Sequence, residues 1–518
     1  MANTAFKTYA QEHGGRVSLL FLLFLLAIYE FITAGFSAFA IVCATPLLAL
    51  FIIVIFHYKM SIFWALLFIN YILQWKDSPM PEGIPMSIYN EMLEIILLAL
   101  AIIDVQQIRF ERMANLMLYT LIIWCGFCTL EILNDTCGLG INPGAWYQGA
   151  RLIAFQILYA FLVFTIYVNT PQILIKYIYI WGFLSLFATF WAWKQQHLGF
   201  TRAENLWLLS GGSTTHILQG GSVIRYFSCY SDAANFGIGM ASTAVAFIIF
   251  AITTRIKKNR YFFILISMAC IWGMFASGTR TAIACLMAGL MAYIFLSKSF
   301  KIAIPFTVVF TLFVFMLVFT NIGNSNSQIR RMRSAFDRND QSAGARVANQ
   351  QVMKKYLQDA PWGIGIGIGY NNVPANNKYR KLSTIPPDSE YVFVWQHTGI
   401  IGITIFLILT VVMLGGACWI VFSTLKSPSL RGVGAGLCCA FVSQQLGGYG
   451  NQVLMQFPNC IIFYGGLSIV YVLPFFEKEW TEFETKKITI QEEKRRLLLE
   501  KIDKMRVKPW YSWIYKYL

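Results

Sequence analysis

Four places along this chain put arginine or a carboxylate beside the predicted end of a helix, and those residue types suit the handling of a multiply charged anion. The first is Arg225-Tyr-Phe-Ser-Cys-Tyr-Ser-Asp232-Ala-Ala-Asn235-Phe-Gly237, which runs straight into an apolar segment. The second is the tight turn Ala276-Ser-Gly-Thr-Arg280-Thr281. The third is Gly344-Ala-Arg346, followed by a predicted helix through Tyr356 and by Asp359-Ala-Pro-Trp-Gly-Ile-Gly-Ile-Gly-Ile-Gly369-Tyr. The fourth is Ile385-Pro-Pro-Asp388-Ser-Glu390-Tyr, before another apolar segment. Guanidinium groups match phosphate bidentately. A helix N-terminus offers backbone N–H groups to an anion, and a carboxylate at the mouth of such a site is suited to take a proton as general base.

Each residue also has a plainer reading, and both stay open on sequence alone. Asp232 and Asn235 suit helix N-capping. Arg280 is long enough to snorkel to lipid headgroups, Asp388 is placed to cap the following helix, and Glu390 falls in its first turn. His397 reads as a packed residue, and His197 and His216 have no partner at a meaningful spacing. The glycine run lacks the Lys-Ser/Thr of a phosphate loop and any βαβ context, so close backbone approach is the better reason for it. HExxH, DxD and clustered His/Asp patterns are absent; the expectation is chemistry without a metal or cofactor, with arginines supplying positive charge.

What positions these residues follows from composition. Of 518 residues, 57% are hydrophobic and 13% charged, where a soluble domain is about a quarter charged. The apolar residues come in blocks of about 17–25, enough for a helix to cross the hydrocarbon layer, where the backbone must satisfy its own hydrogen bonds. The first block, Val17 to Phe36, is read as a retained span because more spans follow at once. In order the blocks predict an all-α polytopic protein of about fourteen spans, at 17–36, 38–57, 60–75, 89–106, 114–133, 150–168, 172–193, 233–254, 260–277, 281–297, 302–321, 394–420, 432–449 and 457–476.

With a cytoplasmic N-terminus, the inside connections hold Lys59, Arg109 with Arg112, Lys176, the Arg255–Arg260 cluster, Lys298 with Lys301, and Lys426 with Arg431. Each is short and basic, as the positive-inside rule requires. The net charge of +16 is therefore an orientation signal and no sign of nucleic-acid binding. The chain divides into 1–321 with spans one to eleven, a large external loop at 322–393, the last three spans at 394–476, and a cytoplasmic tail at 477–518 with a polar helix over 490–505. Outside loops fall at 76–88, 134–149, 194–232, the Ser277–Arg280 turn, 322–390 and 450–456, which brings all four stretches to one face. The long loop carries about ten Lys and Arg, including Arg330, Arg331, Arg333 and Arg338. Of eleven cysteines, Cys125 and Cys128 lie within a span; Cys137 and Cys229 lie in external loops, and a disulfide between them is open.

Taken in order, RYFSCYSDAANFG before a span, SGTR between two spans, GAR followed by DAPWGIGIGIGY, and DSEYVFVWQHTGIIG opening the next span resemble the O-antigen ligase and polymerase superfamily over about residues 220–470. The resemblance implies a GT-C-like glycosyltransferase of the bacterial inner membrane. It would act at the periplasmic face on undecaprenyl diphosphate-linked saccharide, by inverting transfer without a metal. It implies Arg225, Arg280 and Arg346 on the diphosphate, Asp388 with Arg280 and Arg346 in the catalytic position, and Asp232, Asn235 and Glu390 in support. The implied partners are that donor, a saccharide or lipid A core acceptor, the bilayer and a chain-length regulator. Ligases that modify lipid A core carry His-Asn where this chain has Asp388-Ser389, which turns the expectation toward polymerisation of repeat units (O-antigen, capsule or exopolysaccharide), with ligation to lipid A core or protein as the alternative. A flippase would also suit many spans, but transporters show internal repeats and midplane sites. No repeat is found, and Glu30, Glu131, Gln444 and Gln445 fall near the outer ends of their spans.

Overall fold

A computed structural model of the chain describes residues 58–78, 87–218, 223–298, 341–369, 372–385 and 389–504, with isolated positions between 15 and 33 and between 304 and 333. The chain divides into two compact units, Met1–Ala65 and Leu66–Leu518. Thirteen helices of the described residues are used below: α1 (Lys59–Ile72), α2 (Ser87–Ile103), α3 (Leu116–Leu130), α4 (Pro143–Tyr167), α5 (Pro171–His197), α6 (Ala233–Thr253), α7 (Lys257–Ala276), α8 (Arg280–Leu296), α9 (Gln341–Leu357), α10 (Glu390–Trp419), α11 (Pro428–Gly450), α12 (Asn459–Val472) and α13 (Glu477–Lys504). The strands among them are β1 (Ile217–Leu218) and β2 (Val223–Ile224), an antiparallel pair with Ile217 opposite Ile224.

Seven helical stretches of the described residues are long and apolar enough to cross a membrane, and α1 and α8 are shorter apolar helices. The described residues thus form a predominantly helical, multi-pass membrane protein. Two more expected spans, 89–106 and 432–449, are the helices α2 and α11, which carry Asn90, Glu91 and Glu94, and Ser443 and Gln444. The expected spans 17–36, 38–57 and 302–321 fall mostly outside the described residues, so the count of fourteen is reached only in part.

Two boundaries differ from expectation for local reasons. Helix α4 starts at Pro143, well before residue 150, because the Asn142 side chain accepts the Ala145 N–H at 3.0 Å and proline occupies the first turn. Helix α13 starts at Glu477, well before residue 490. Glu477 Oε1 accepts the Lys426 and Ser427 N–H groups, each at 2.6 Å. Ser429 Oγ donates to Glu484 Oε2 at 2.9 Å and accepts from Trp480 Nε1 at 2.9 Å. The tail helix therefore grows from a fixed base on the turn before α11.

Helix α6 is the axis of the fold. Nearly all of its residues are buried, against α7, α8 and α11. Small residues such as Gly237, Gly239 and Ala241 let neighbours approach closely, the usual solution for helix packing without a hydrophobic driving force.

The glycine run has a packing role. Ile364 N–H donates to Gln396 O and Gly365 N–H to His397 O, both at 3.0 Å, while Ile401 N–H reaches Pro361 O at 3.2 Å. These bonds fall where α10 is interrupted: Gly399 has φ 64° and ψ −166°. A Cβ on Gly399 would lie 2.0 Å from Pro361 O. Close approach is what these glycines allow. Gly399→Ala is expected to destabilise the protein by about 1–3 kcal/mol, read as a lower melting temperature in detergent. Gly415→Ala on the same helix, where a Cβ meets nothing within 4 Å, should leave it unchanged.

Candidate active site

Four helix ends meet at one end of the bundle: the starts of α6, α8 and α10 and the finish of α11. Asp232 is the N-cap of α6, with Oδ1 accepting Ala234 N–H at 2.7 Å and Asn235 N–H at 3.0 Å. Its Oδ2 accepts from Asn235 Nδ2 at 2.6 Å and from the Ser231 hydroxyl at 3.0 Å. The carboxylate is committed to holding this helix end. Asn235 also presents its backbone carbonyl to Asn459 Nδ2 at 3.1 Å, which ties α6 to α12.

Arg225 stitches β2 to the turn between α7 and α8. Its Nη1 donates to Thr215 O at 2.8 Å, Nε to Ser277 O at 3.3 Å and Nη2 to Thr279 Oγ1 at 3.1 Å. Thr279 Oγ1 in turn donates to Ala233 O at 2.9 Å, so guanidinium, turn and helix start form one chain of bonds. Gly237 makes this contact possible, since a Cβ there would sit 2.1 Å from Ser277 Oγ. Burial lowers the Arg225 guanidinium from its ordinary value; Asp232 opposes this and Arg280 adds to it. It stays cationic in any case.

Arg280 is the first residue of α8 and is half-buried. The charge of Arg346 acts on it, as its own charge acts on Arg225. Arg346 lies on α9 and donates from Nη2 to the carbonyl of Gly450, the last residue of α11, at 3.0 Å. The three arginines singled out in sequence are thus brought into one electrostatic neighbourhood.

Asp388 lies outside the described residues. Its successor Ser389 is the N-cap residue of α10, although its hydroxyl does not cap: it donates to Gly448 O at 2.9 Å. Arg346 and Ser389 are therefore anchored two residues apart on the same last turn of α11. Glu390 is buried, and its Oε2 accepts Leu454 N–H at 2.9 Å, holding the connection from α11 to α12. That use makes it a positioning residue. His397 is packed within α10, with Nδ1 2.9 Å from Phe393 O. Cys137 and Cys229 are free, buried thiols: Cys137 packs beside Met353 and Leu357, and Cys229 follows Ser228, whose hydroxyl donates to Ala188 O.

Two residues with no signal in the sequence complete the arrangement. Lys76 Nζ donates to Ser231 O at 3.0 Å and lies 4.2 Å from the Trp207 ring centroid. Burial pushes its ammonium down to about 8, against the pull of Asp232 and Glu204. His216 Nε2 accepts the Ala233 N–H at 3.0 Å, so its Nδ1 carries the proton and donates to Gly212 O at 2.8 Å. Its own carbonyl accepts the Arg225 N–H at 2.9 Å. Only a neutral imidazole can make both ring bonds.

Residues 263–407 match the family model described as O-Antigen ligase. The matched segment spans Arg280, Arg346 and the start of α10, and it supports the resemblance to the O-antigen ligase and polymerase superfamily. No curated protein matches the chain. The match supports a coarse assignment to the membrane enzymes of the O-antigen ligase and polymerase type.

Burial, and then the charge of Arg225, push His216 down to about 4. A folded value below the ordinary 6.5 means that protonation favours the opened state. Order at the start of α6 should be complete above about pH 6.5 and fade as pH falls toward about 4. Once the intrinsic slowing of exchange with acid is corrected for, hydrogen exchange of amides 216–218 and 223–233 is expected to accelerate between pH 7 and pH 5. In His216→Phe the acid-dependent part of that acceleration should vanish, and an unchanged profile would contradict the assignment.

Proposed function

We propose that the protein is a GT-C-like glycosyltransferase that polymerises undecaprenyl diphosphate-linked oligosaccharide repeat units at the periplasmic face of the bacterial inner membrane. The observation that carries this reading is the convergence of Arg225, Arg280 and Arg346 at one end of the bundle: Arg225 bonds Thr279 beside Arg280 at 3.1 Å, and Arg346 bonds the carbonyl of Gly450 at 3.0 Å, where a Cβ would lie 2.9 Å from Thr281. Arginines from three separated stretches of sequence repel one another unless something anionic joins them. A membrane-borne diphosphate supplies that charge, and the family match supports a lipid-linked donor.

In the proposed reaction an acceptor hydroxyl attacks the anomeric carbon of the donor sugar. The new glycosidic C–O bond forms as the bond to the diphosphate breaks, and undecaprenyl diphosphate leaves with the electron pair. Arg280 and Arg346 stabilise the charge that develops on it. Arg225, already engaged through three of its donors, holds the turn from which Arg280 projects and adds its field from behind. Asp388 takes the hydroxyl proton as general base. Asp232, Asn235 and Glu390 keep the helix ends in place. Attack opposite the leaving group gives inversion.

The match to the O-antigen ligase family favours a second reading, ligation of a finished chain to lipid A core or another acceptor. Glycans that accumulate on the carrier lipid in a deletion strain separate the two. A single repeat on undecaprenyl diphosphate is the result expected of a lost polymerase; long chains on that lipid would point to a ligase. Arg280→Ala and Arg346→Ala should each lower polymer formation by about 100-fold or more with membrane insertion unchanged. Near-normal polymer length in both variants would remove the diphosphate clamp.

A further inference from the structure

A second feature lies far from the arginines. Helices α5, α7 and α13 enclose a groove of about 510 Å³ whose wall includes Tyr179, Phe183, Phe262 and Phe483, with Lys176 and Lys487 beside them. Along α5, the Gln195 side chain bonds Ser228 at the arginine end, accepting its N–H at 2.9 Å. From Lys176 to Gln195 the helix rises about 28 Å at about 1.5 Å per residue, close to the thickness of the hydrocarbon layer. The two lysines therefore stand at the membrane face opposite the arginine site. The α13 wall is held in place, because Glu477, Trp480 and Glu484 fasten the base of that helix to Lys426, Ser427 and Ser429.

We propose that this groove binds an anionic glycerophospholipid of the bilayer, with one acyl chain along the aromatic wall and the phosphate between Lys176 and Lys487. Charge selects the occupant. Two ammonium groups from different helices border an apolar slot, and a polybasic membrane face attracts anionic headgroups. The chain's own segment 505–518 is the other candidate by proximity in sequence, but it carries Arg506, Lys508 and Lys516 and no Asp or Glu. Seating it there would add like charge to the two lysines. Bound lipid would link α13 to α5 and α7, and so couple the tail helix to the composition of that leaflet.

The test uses the full chain in mild detergent, with phosphatidylglycerol and phosphatidylcholine of identical acyl chains as probes. Native mass spectrometry should show phosphatidylglycerol retained in preference. Both lysines are exposed, so K176Q/K487Q preserves the fold, and its phosphatidylglycerol affinity should fall by about 30-fold while phosphatidylcholine binding stays as it was. K487Q alone should give an intermediate loss, and K257Q/K258Q, charges outside the groove lining, no loss. Equal retention of the two lipids by the wild type, or preference unchanged in K176Q/K487Q, would overturn the proposal. So would loss of the preference on truncation after Met505, which would assign the anion to the tail.

Discussion

The last turn of α11 ends with backbone carbonyls that no residue of its own helix can satisfy. Beside a bilayer such groups are expensive to leave bare. Gly448 O accepts the Ser389 hydroxyl and Gly450 O accepts the Arg346 guanidinium, and the latter also sets a cation at the negative end of a helix dipole. Around this turn the rest is arranged. The segment after α8 is tied to it through Arg346, the start of α10 through Ser389, and the connection to α12 through Glu390 and Leu454. One helix end thus decides where three parts of the chain come together.

A parallel arrangement holds the opposite side of the site. The orphan N–H groups at the start of α6 are taken by Asp232 and by His216, and the Arg225 to Thr279 to Ala233 chain closes the turn against them. Glycine at 237 and 399 removes the side chains that would keep backbone apart. Deeper in the bundle the same logic applies to charge: Arg151 pairs with Glu91 at 3.4 Å and donates to Ser87 Oγ at 2.7 Å. Arg151 is admitted there because Glu91 and Ser87 of α2 meet its guanidinium.

Much of this was legible in the sequence. Apolar blocks of span length announced the helices, and α6, α7, α8 and α12 lie within a few residues of the expected ranges because hydrocarbon thickness dictates their length. The capping pattern at Asp232 was readable for the same kind of reason, since an N-cap bond is local. The arginines at 225, 280 and 346 stood out by their positions before or between spans. Their separate tasks did not, because a guanidinium spent on carbonyls looks the same in sequence as one facing a ligand.

Residue type and spacing by themselves determined that the chain is helical, that it crosses the membrane many times, and which charged residues stand at helix ends. These follow from the solvent and from contacts within a few residues. Tertiary structure alone decided that Lys76 and His216 belong beside Asp232 and Ser231, that Glu390 serves the α11–α12 connection, and that Cys137 and Cys229 remain apart. Those partnerships join residues far apart along the chain. Their energy comes from satisfying buried polar groups across helix boundaries, and no local pattern encodes which distant group will arrive.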